Sequence, residues 1–229
     1  MNSVLIVAAG SGKRMGADIP KQFLLLCGRP ILSHTIQAFE SSPDIDEIII
    51  VTNADNVDYV KNEIAAPFKK VKNVVRGGSE RQYSVYNGLR EISKSCEIVL
   101  IHDGVRPFVT VKDINNIIEH TKIYGCCVLA VPVKDTIKVC NKDGFIESTP
   151  DRAFLWQAQT PQAFKYDIIL KAHNLAENYG FLGTDDSMLT ERLGYKTKVV
   201  EGSYENIKIT TPEDMEIGEK ILTKHQKER

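Results

Sequence analysis

The sequence predicts an α/β fold: a mostly parallel, twisted sheet with helices on both faces, plus a protruding β-arm. Three observations carry that prediction. Short, largely β-branched apolar runs recur at 4–7, 47–51, 98–101 and 126–133, the composition of strands buried on both faces of a parallel sheet. Segments of helical period separate these runs, which is the alternation of βα units. The first run breaks into a loop containing Gly10, Gly12 and Gly16, where the backbone is free to take positive φ angles and approach a ligand closely. In such a sheet the crossovers are right-handed and ligands gather at the carboxyl ends of the strands.

The first strand is the run Val4, Leu5, Ile6 and Val7, and the segment after it carries Lys13, Arg14 and Lys21. Amides turned into a concavity, with three cations close by in sequence, suit phosphate oxygens. The stretch therefore reads as a polyphosphate site. Its spacing departs from the dinucleotide fingerprint at Met15, and no P-loop pattern occurs; an ordinary strand-to-helix turn with solvated cations is the competing reading. Behind Pro30, the residues Ile31, Leu32, Thr35, Ile36 and Phe39 recur with helical spacing, and 47–51 is the second strand. Residues 56–64 read as helix, 71–75 as strand, and 80–92 as a helix with Tyr83, Tyr86, Leu89 and Ile92 on one side. Strand 98–101 follows, then a helix marked by Ile114, Ile117 and Ile118, then strand 126–133.

From 133 to 155 the rhythm changes. Residues 136–139, a turn at 141–144 and residues 145–148 predict a β-hairpin added to the sheet. An isolated hairpin is marginal in water, so it packs on its own domain or on a second copy of the chain. Helices at 166–178 and 187–192, extended segments at 197–200 and 207–209, and a helix at 212–222 complete the chain. Thr211 as cap, Pro212 in the first turn, and Glu213 and Asp214 near the positive end of the dipole support that last helix.

At 229 residues with 42% hydrophobic content, one domain over 1–229, with 133–155 as its arm, is the expected organisation. A net charge of −1 disfavours a nucleic-acid surface while allowing a local basic pocket. Five cysteines without C-x-x-C spacing predict reduced, mostly buried thiols rather than a disulfide framework or a zinc site. Without a basic leader, a cleavage site or an apolar run of about 20 residues, the reading is cytoplasmic with no membrane contact.

Later motifs carry the remaining candidate chemistry. Gly77-Gly78-Ser79-Glu80-Arg81, between a strand and a helix, lets backbone approach a flat base with Ser84 supplying a hydroxyl, or is a helix cap. Asp103, in His102-Asp103-Gly104-Val105-Arg106-Pro107, emerges at a strand end. A carboxylate there suits magnesium held largely by triphosphate oxygens and water; an ion pair with Arg106 is the alternative. Lys208 lies in an apolar extended segment, where an ammonium needs a phosphate, a carboxylate or a route to solvent. Arg152 and Thr160 bracket the lone Trp156, and Asp185 and Asp186 precede a helix as caps or something more. The five histidines are scattered, and no G-x-S-x-G elbow or cysteine–base pair offers covalent catalysis. A phosphate acceptor needs neither, because it is already an anionic nucleophile at neutral pH. Cations and magnesium that relieve repulsion and stabilise the leaving pyrophosphate are what that chemistry requires.

Seven ordered motifs span essentially the whole chain: AAGSGKRMG with PKQ, GGSERQYSV, HDGVRP, VKDTIK, LWQAQTPQAF, TDDSMLTERLG and VEGSYENIKITTPED. Together they closely resemble the methylerythritol-phosphate cytidylyltransferase family of the non-mevalonate isoprenoid pathway. The resemblance implies a Rossmann-like nucleotidyltransferase fold, transfer of CMP from CTP to methylerythritol phosphate, a polyol phosphate, with release of pyrophosphate, magnesium dependence, and a homodimer whose β-arms complete each other's acceptor sites. It places Ala8, Ala9, Gly10, Gly12, Gly78, Ser84 and Asp103 at CTP. Arg14 and Lys21 bind the triphosphate and stabilise the transition state, with Arg152 and Lys208 as their catalytic partners at the acceptor phosphate. Gly104, Arg106, Thr136 and Thr160 complete the acceptor region. Ser79 stands where the family commonly has Asp, and Gly104 where it usually has Ala. Ribitol-phosphate cytidylyltransferase shares fold, donor and mechanism, but Ala8-Ala9-Gly10 rather than AGG favours methylerythritol phosphate. A non-catalytic nucleotide sensor is the reading from another class, and joint retention of Arg14, Lys21 and Lys208 speaks against it.

Overall fold

The structure, a computed structural model, describes residues 1–10 and 19–227. Gly12 and Arg14 of the first loop lie outside the described residues. In chain order the elements are β1 (Asn2–Ala8), β2 (Leu25–Leu26), β3 (Arg29–Pro30), α1 (Ile31–Glu40), β4 (Glu47–Thr52), α2 (Val57–Tyr59), β5 (Val71–Arg76), α3 (Arg81–Leu89) and β6 (Ile98–Asp103). They continue with α4 (Val111–Tyr124), β7 (Cys126–Pro132), β8 (Val139–Cys140), β9 (Ile146–Ser148), β10 (Trp156–Lys165), α5 (Tyr166–Asn178), α6 (Asp186–Arg192), β11 (Lys198–Glu201) and α7 (Pro212–Lys227).

Seven strands form one sheet in the order β11-β7-β10-β6-β1-β4-β5. All neighbours pair in parallel except β10, which is antiparallel to both β6 and β7. Strand alternation distributes the core over the two faces. Val4, Ile6, Ile48, Ile50 and Leu100 pack with α1 and α4 on one side, while Leu5, Ile49, Val51, Val99 and Ile101 pack with α3, α5 and α6 on the other. With apolar residues buried on both faces, these strands need unbroken hydrophobic runs, which is the pattern seen in sequence. Helix α4 starts in a capping box, with the Thr110 and Asp113 side chains each bonded to the other's backbone N–H, and ends at Gly125 with φ of 82°. Among the described residues, no helix is long and apolar enough to cross a membrane.

The predicted faces of α1 and α4 are the buried ones, but that of α3 differs. Gln82, Ser84, Val85, Gly88 and Leu89 face inward, and Tyr83 and Tyr86 are only half buried. The Tyr86 hydroxyl donates instead to Asn174 Oδ1 on α5 at 2.6 Å, which turns that side of α3 toward a polar helix seam. Strand β10 was not anticipated, nor was the β2–β3 pair.

The hairpin of β8 and β9 forms, but as a separate two-stranded sheet rather than an addition to the main one. The reason is positional. The chain leaves the sheet at β7 and re-enters at β10, two interior neighbours, so the hairpin has no free sheet edge to join there. It stands out with Phe145 and Ile146 exposed, as is Phe154 in the turn that follows it. The predicted extended segment 207–209 is likewise outside any sheet; Ile209 N–H donates to Val105 O at 2.9 Å and Ile209 is fully buried.

Candidate active site

The order of the sheet fixes where a ligand belongs. Chain connections run from β1 outward to β4 and β5 on one side, while β6 flanks β1 on the other, so the parallel strands diverge between β1 and β6, the usual crevice of such sheets. Register aligns Ala8 with Thr52, Thr52 with Arg76, and Val7 with Asp103. The residues that follow each strand therefore meet along one rim. There they line a cavity of about 460 Å³ with Ala8, Ala9, Gly10, Lys21, Gly78, Ser84, Asp103 and Lys208 on its walls.

Each wall is held by its own backbone chemistry. Gln22, almost fully buried, donates from Nε2 to Ala8 O at 2.6 Å and so ties the Lys21–Phe23 turn to the end of β1. Gly77 N–H donates to Thr52 O at 2.7 Å. A Cβ at Gly77 would sit 2.7 Å from Ala9 Cβ and 2.8 Å from Ser84 Oγ, so only glycine lets the two loops close up. Ser84 Oγ accepts the Gly78 N–H at 3.0 Å and donates to Glu80 O at 3.0 Å. Its hydroxyl hydrogen is thereby spent on shaping the loop. Asn53, level with Ala9 and Gly77 at the end of β4, also lines the cavity; it escaped the sequence reading because it carries no motif.

Asp103 is the centre of the electrostatics. Its Oδ2 lies 2.7 Å from Lys208 Nζ and 3.9 Å from Arg106 Nε, and its Oδ1 lies 3.3 Å from Arg81 Nε. Burial alone pushes its carboxyl upward, yet Arg81, Lys208 and Arg106 hold it far below the usual carboxylate range. The two readings of Lys208 both hold: its ammonium meets a carboxylate and keeps about a third of its exposure. The pair with Arg106 is long, and that guanidinium instead donates from Nη1 to Asn206 O at 2.8 Å.

Behind Asp103, Thr160 is buried in β10, where its Oγ1 accepts the Asp103 N–H at 3.1 Å. His102 Nε2 bonds the Arg106 carbonyl at 2.9 Å and must carry the proton, so Nδ1 accepts from the Thr160 hydroxyl at 3.1 Å. Burial pushes the His102 imidazole down to about 4, in keeping with that neutral ring. Thr160 and Gly104, whose N–H donates to Val7 O at 2.8 Å, thus support the cleft from behind and do not line it. Thr136 and Arg152 are exposed on the arm, with Arg152 Nη1 donating to Lys134 O at 2.7 Å, and neither lines the chain's own cavity.

Sequence reasoning overlooked Arg81. It is the first residue of α3, where the positive end of the dipole disfavours a cation, and that mismatch is the signal that acidic partners await it. They are Asp103 and Asp186, the latter 2.7 Å from Nη1. The two acids at the start of α6 divide their work: Asp185 caps the helix by accepting the Met188 N–H at 3.0 Å, and Asp186 takes the arginine. With Lys21, Arg81 and Lys208 on its walls, the cavity is suited to a polyanion. Among the described residues no group of three or more His, Cys, Asp or Glu gathers to cage a metal; Asp103, held ionised on the cavity wall, is a carboxylate suited to share an ion with bound phosphates.

A family model described as IspD, 2-C-methyl-D-erythritol 4-phosphate cytidylyltransferase, matches residues 2–224. Curated relatives of that name include one from Clostridium acetobutylicum, 52% identical and covering 98% of this chain and 99% of its own. Another, from Caldanaerobacter subterraneus subsp. tengcongensis, is 50% identical over 97% of this chain and 99% of its own. Among solved structures, a 4-diphosphocytidyl-2C-methyl-D-erythritol synthase from Anaerococcus prevotii superposes with a TM-score of 0.88 at 33% identity, covering 97% of this chain and 96% of that one. The Francisella tularensis 2-C-methyl-D-erythritol 4-phosphate cytidylyltransferase has a TM-score of 0.83 at 33% identity, covering 96% and 99% respectively.

Proposed function

The chain belongs to the 2-C-methyl-D-erythritol 4-phosphate cytidylyltransferase family, and on that footing we propose that it transfers CMP from CTP to 2-C-methyl-D-erythritol 4-phosphate, releasing pyrophosphate. The observation that carries this reading is the convergence of Lys21, Arg81 and Lys208 on one cavity at the β1–β6 crevice, the last two paired with Asp103. Ala8, Ala9, Gly10 and Gly78 line the same cavity and would lie against the nucleotide.

In the proposed reaction an acceptor phosphate oxygen attacks the α-phosphorus of CTP in line, and the bond to the β-phosphate oxygen breaks as pyrophosphate leaves. No protein nucleophile or base takes part, so the chain contributes alignment and charge. Lys21 stabilises negative charge growing on the α-phosphate and pyrophosphate, with Arg14 assigned to the same task, and Gly12 to CTP binding, by the family resemblance alone. Lys208 takes the acceptor phosphate, exchanging its contact with Asp103 for one with the incoming anion. Magnesium, when bound, would neutralise triphosphate charge, and Asp103 suits an ion held mainly by phosphates and water. Arg106, Gly104 and Thr160 shape the acceptor side by fixing the loop that follows Asp103.

Thr136 and Arg152 fit an acceptor site only if they reach a second protomer, so the proposal includes a homodimer joined through the 133–155 arm. The exposed Phe145, Ile146 and Phe154 support that reading. A cytoplasmic enzyme without nucleic-acid or membrane contact completes it. A coupled pyrophosphate-release assay with CTP and magnesium tests the activity. Turnover with methylerythritol phosphate is expected. Turnover with ribitol 5-phosphate alone would overturn the acceptor, and CTP binding without turnover on either would make the protein a sensor.

A further inference from the structure

Resting on that reading, we infer that Asp186, on a helix outside the cavity, is a positioning residue for nucleotide binding that acts through Arg81. Asp186 is 1% exposed and does not line the cavity, whereas Arg81 does. Arg81 reaches across from the start of α3 and divides its guanidinium between two carboxylates on different elements: Nη1 to Asp186 Oδ2 at 2.7 Å and Nε to Asp103 Oδ1 at 3.3 Å.

The other side of Asp186 is fixed as firmly. Its backbone N–H and that of Ser187 both donate to Gln162 Oε1 at 3.1 Å, while Gln162 Nε2 donates to Asp185 Oδ2 at 2.8 Å. Its Oδ1 faces His173 Nε2 at 3.3 Å, and the His173 ring stacks on Tyr86 at 6.1 Å. The start of α6 is thereby anchored to β10, and the carboxylate is aimed at one place. It is not needed to cap α6, since Asp185 does that.

A buried ion pair is a costly way to hold a fold together, and a well-packed apolar pair of similar volume is often as stable. What the charge provides here is direction. With Asp186 drawing one arm of the fork away from the cleft, Arg81 lies along the wall beside the Gly78–Glu80 loop. Asp103 Oδ2 is left to Lys208. Without Asp186, Arg81 keeps Asp103 as its one ion-pair partner among the described residues and closes on it, competing with Lys208 for that carboxylate and drawing its charge away from the Gly78–Glu80 side of the cavity. A planar five-donor fork is suited to this bridging, and a lysine ammonium is not.

A double-mutant cycle on CTP affinity, measured by calorimetry with magnesium chloride present, tests the inference. Asp186→Asn keeps the shape and removes the charge; it is expected to weaken CTP binding about tenfold. Arg81→Gln is expected to weaken it at least as much, and the double variant is expected to match Arg81→Gln within about twofold, because the two act as one unit. Losses that multiply in the double variant would overturn the inference, as would CTP affinity in Asp186→Asn within about twofold of wild type. Should Asp186→Asn not fold, Arg81→Lys reads the same coupling: a tenfold weaker CTP affinity with a near-wild-type melting temperature is expected, and unchanged affinity overturns it. A purely structural role would lower melting temperature without this coupling. Wild-type CTP binding without pyrophosphate release would sink the functional reading and leave the cycle standing; no CTP binding at all would overturn both.

Discussion

Replacing Asp103 with asparagine tests the electrostatic centre of the cleft. The carboxylate is 11% exposed and answers three cations at 2.7, 3.3 and 3.9 Å; Asp103→Asn leaves Lys208, Arg81 and Arg106 facing one another. Removing one partner of a buried ion pair costs about 3–5 kcal/mol. Arg81 and Lys208 retain 31% and 36% exposure, and solvent screens what they lose, which places the expected cost at the lower end, about 3 kcal/mol. At about 2–4 °C per kcal/mol for a chain of this size, the melting temperature falls by roughly 6–12 °C. Differential scanning calorimetry at pH 7 and low salt reads the shift. Pyrophosphate supplies the missing negative charge, so it raises the melting temperature of the variant more than that of the wild type. A fall below about 2 °C, or equal responses to pyrophosphate, would refute the account of Asp103 as the neutralising group of a cationic cleft.

Lys21→Ala is expected to lower kcat by about 100-fold or more with a smaller change in KM for CTP, as when a charge acts chiefly in the transition state; an unchanged kcat in steady-state kinetics removes Lys21 from the catalytic residues. Stability falls as pH drops: between about 6.5 and 4 the unfolded chain protonates His102 while burial keeps the folded ring neutral, and below about 4 the unfolded chain protonates Asp103 first. Urea midpoints at pH 7.5 and 5 should differ accordingly, and equal midpoints contradict the assignment. Gly88→Ala puts a methyl into Leu5 and within 2.7 Å of Val51 Cγ2, an overpacking cost of about 1–3 kcal/mol, read as a lower urea midpoint; wild-type stability would mean that α3 does not pack this closely on β1. Asp at both Ile146 and Phe154 should give monomers in sedimentation velocity and raise the KM for the acceptor more than that for CTP; an intact dimer rules out the arm as the interface.

Hydropathy made the scaffold legible where strands are buried on both faces. Val4 to Val7, Glu47 to Val51 and Ile98 to Ile101 leave little choice but strands, and Gly10, Lys21 and Asp103 could be placed at a ligand because each follows such a run. Strand β10 escaped for the opposite reason. Its WQAQTPQAFK is polar and interrupted by Pro161, yet it lies in the middle of the sheet. The two buried glutamines are tolerated because their amides are spent: Gln159 Nε2 donates to Ser203 O at 2.9 Å, and Gln162 holds the start of α6. A buried polar group with all its partners supplied costs little, and those partners lie up to 47 residues away, where no local pattern registers them. The same limit hid the pair of Arg81 and Asp186, separated by 105 positions. Charge placement was the one local trace of it, a cation at the dipole's positive end, and it gains meaning only when the fold brings α3 and α6 to the same crevice. The residues that identify the ligand follow the strands in sequence, whereas Thr160 and Asp186, which hold Asp103 and Arg81 in place, come from the antiparallel strand β10 and from α6.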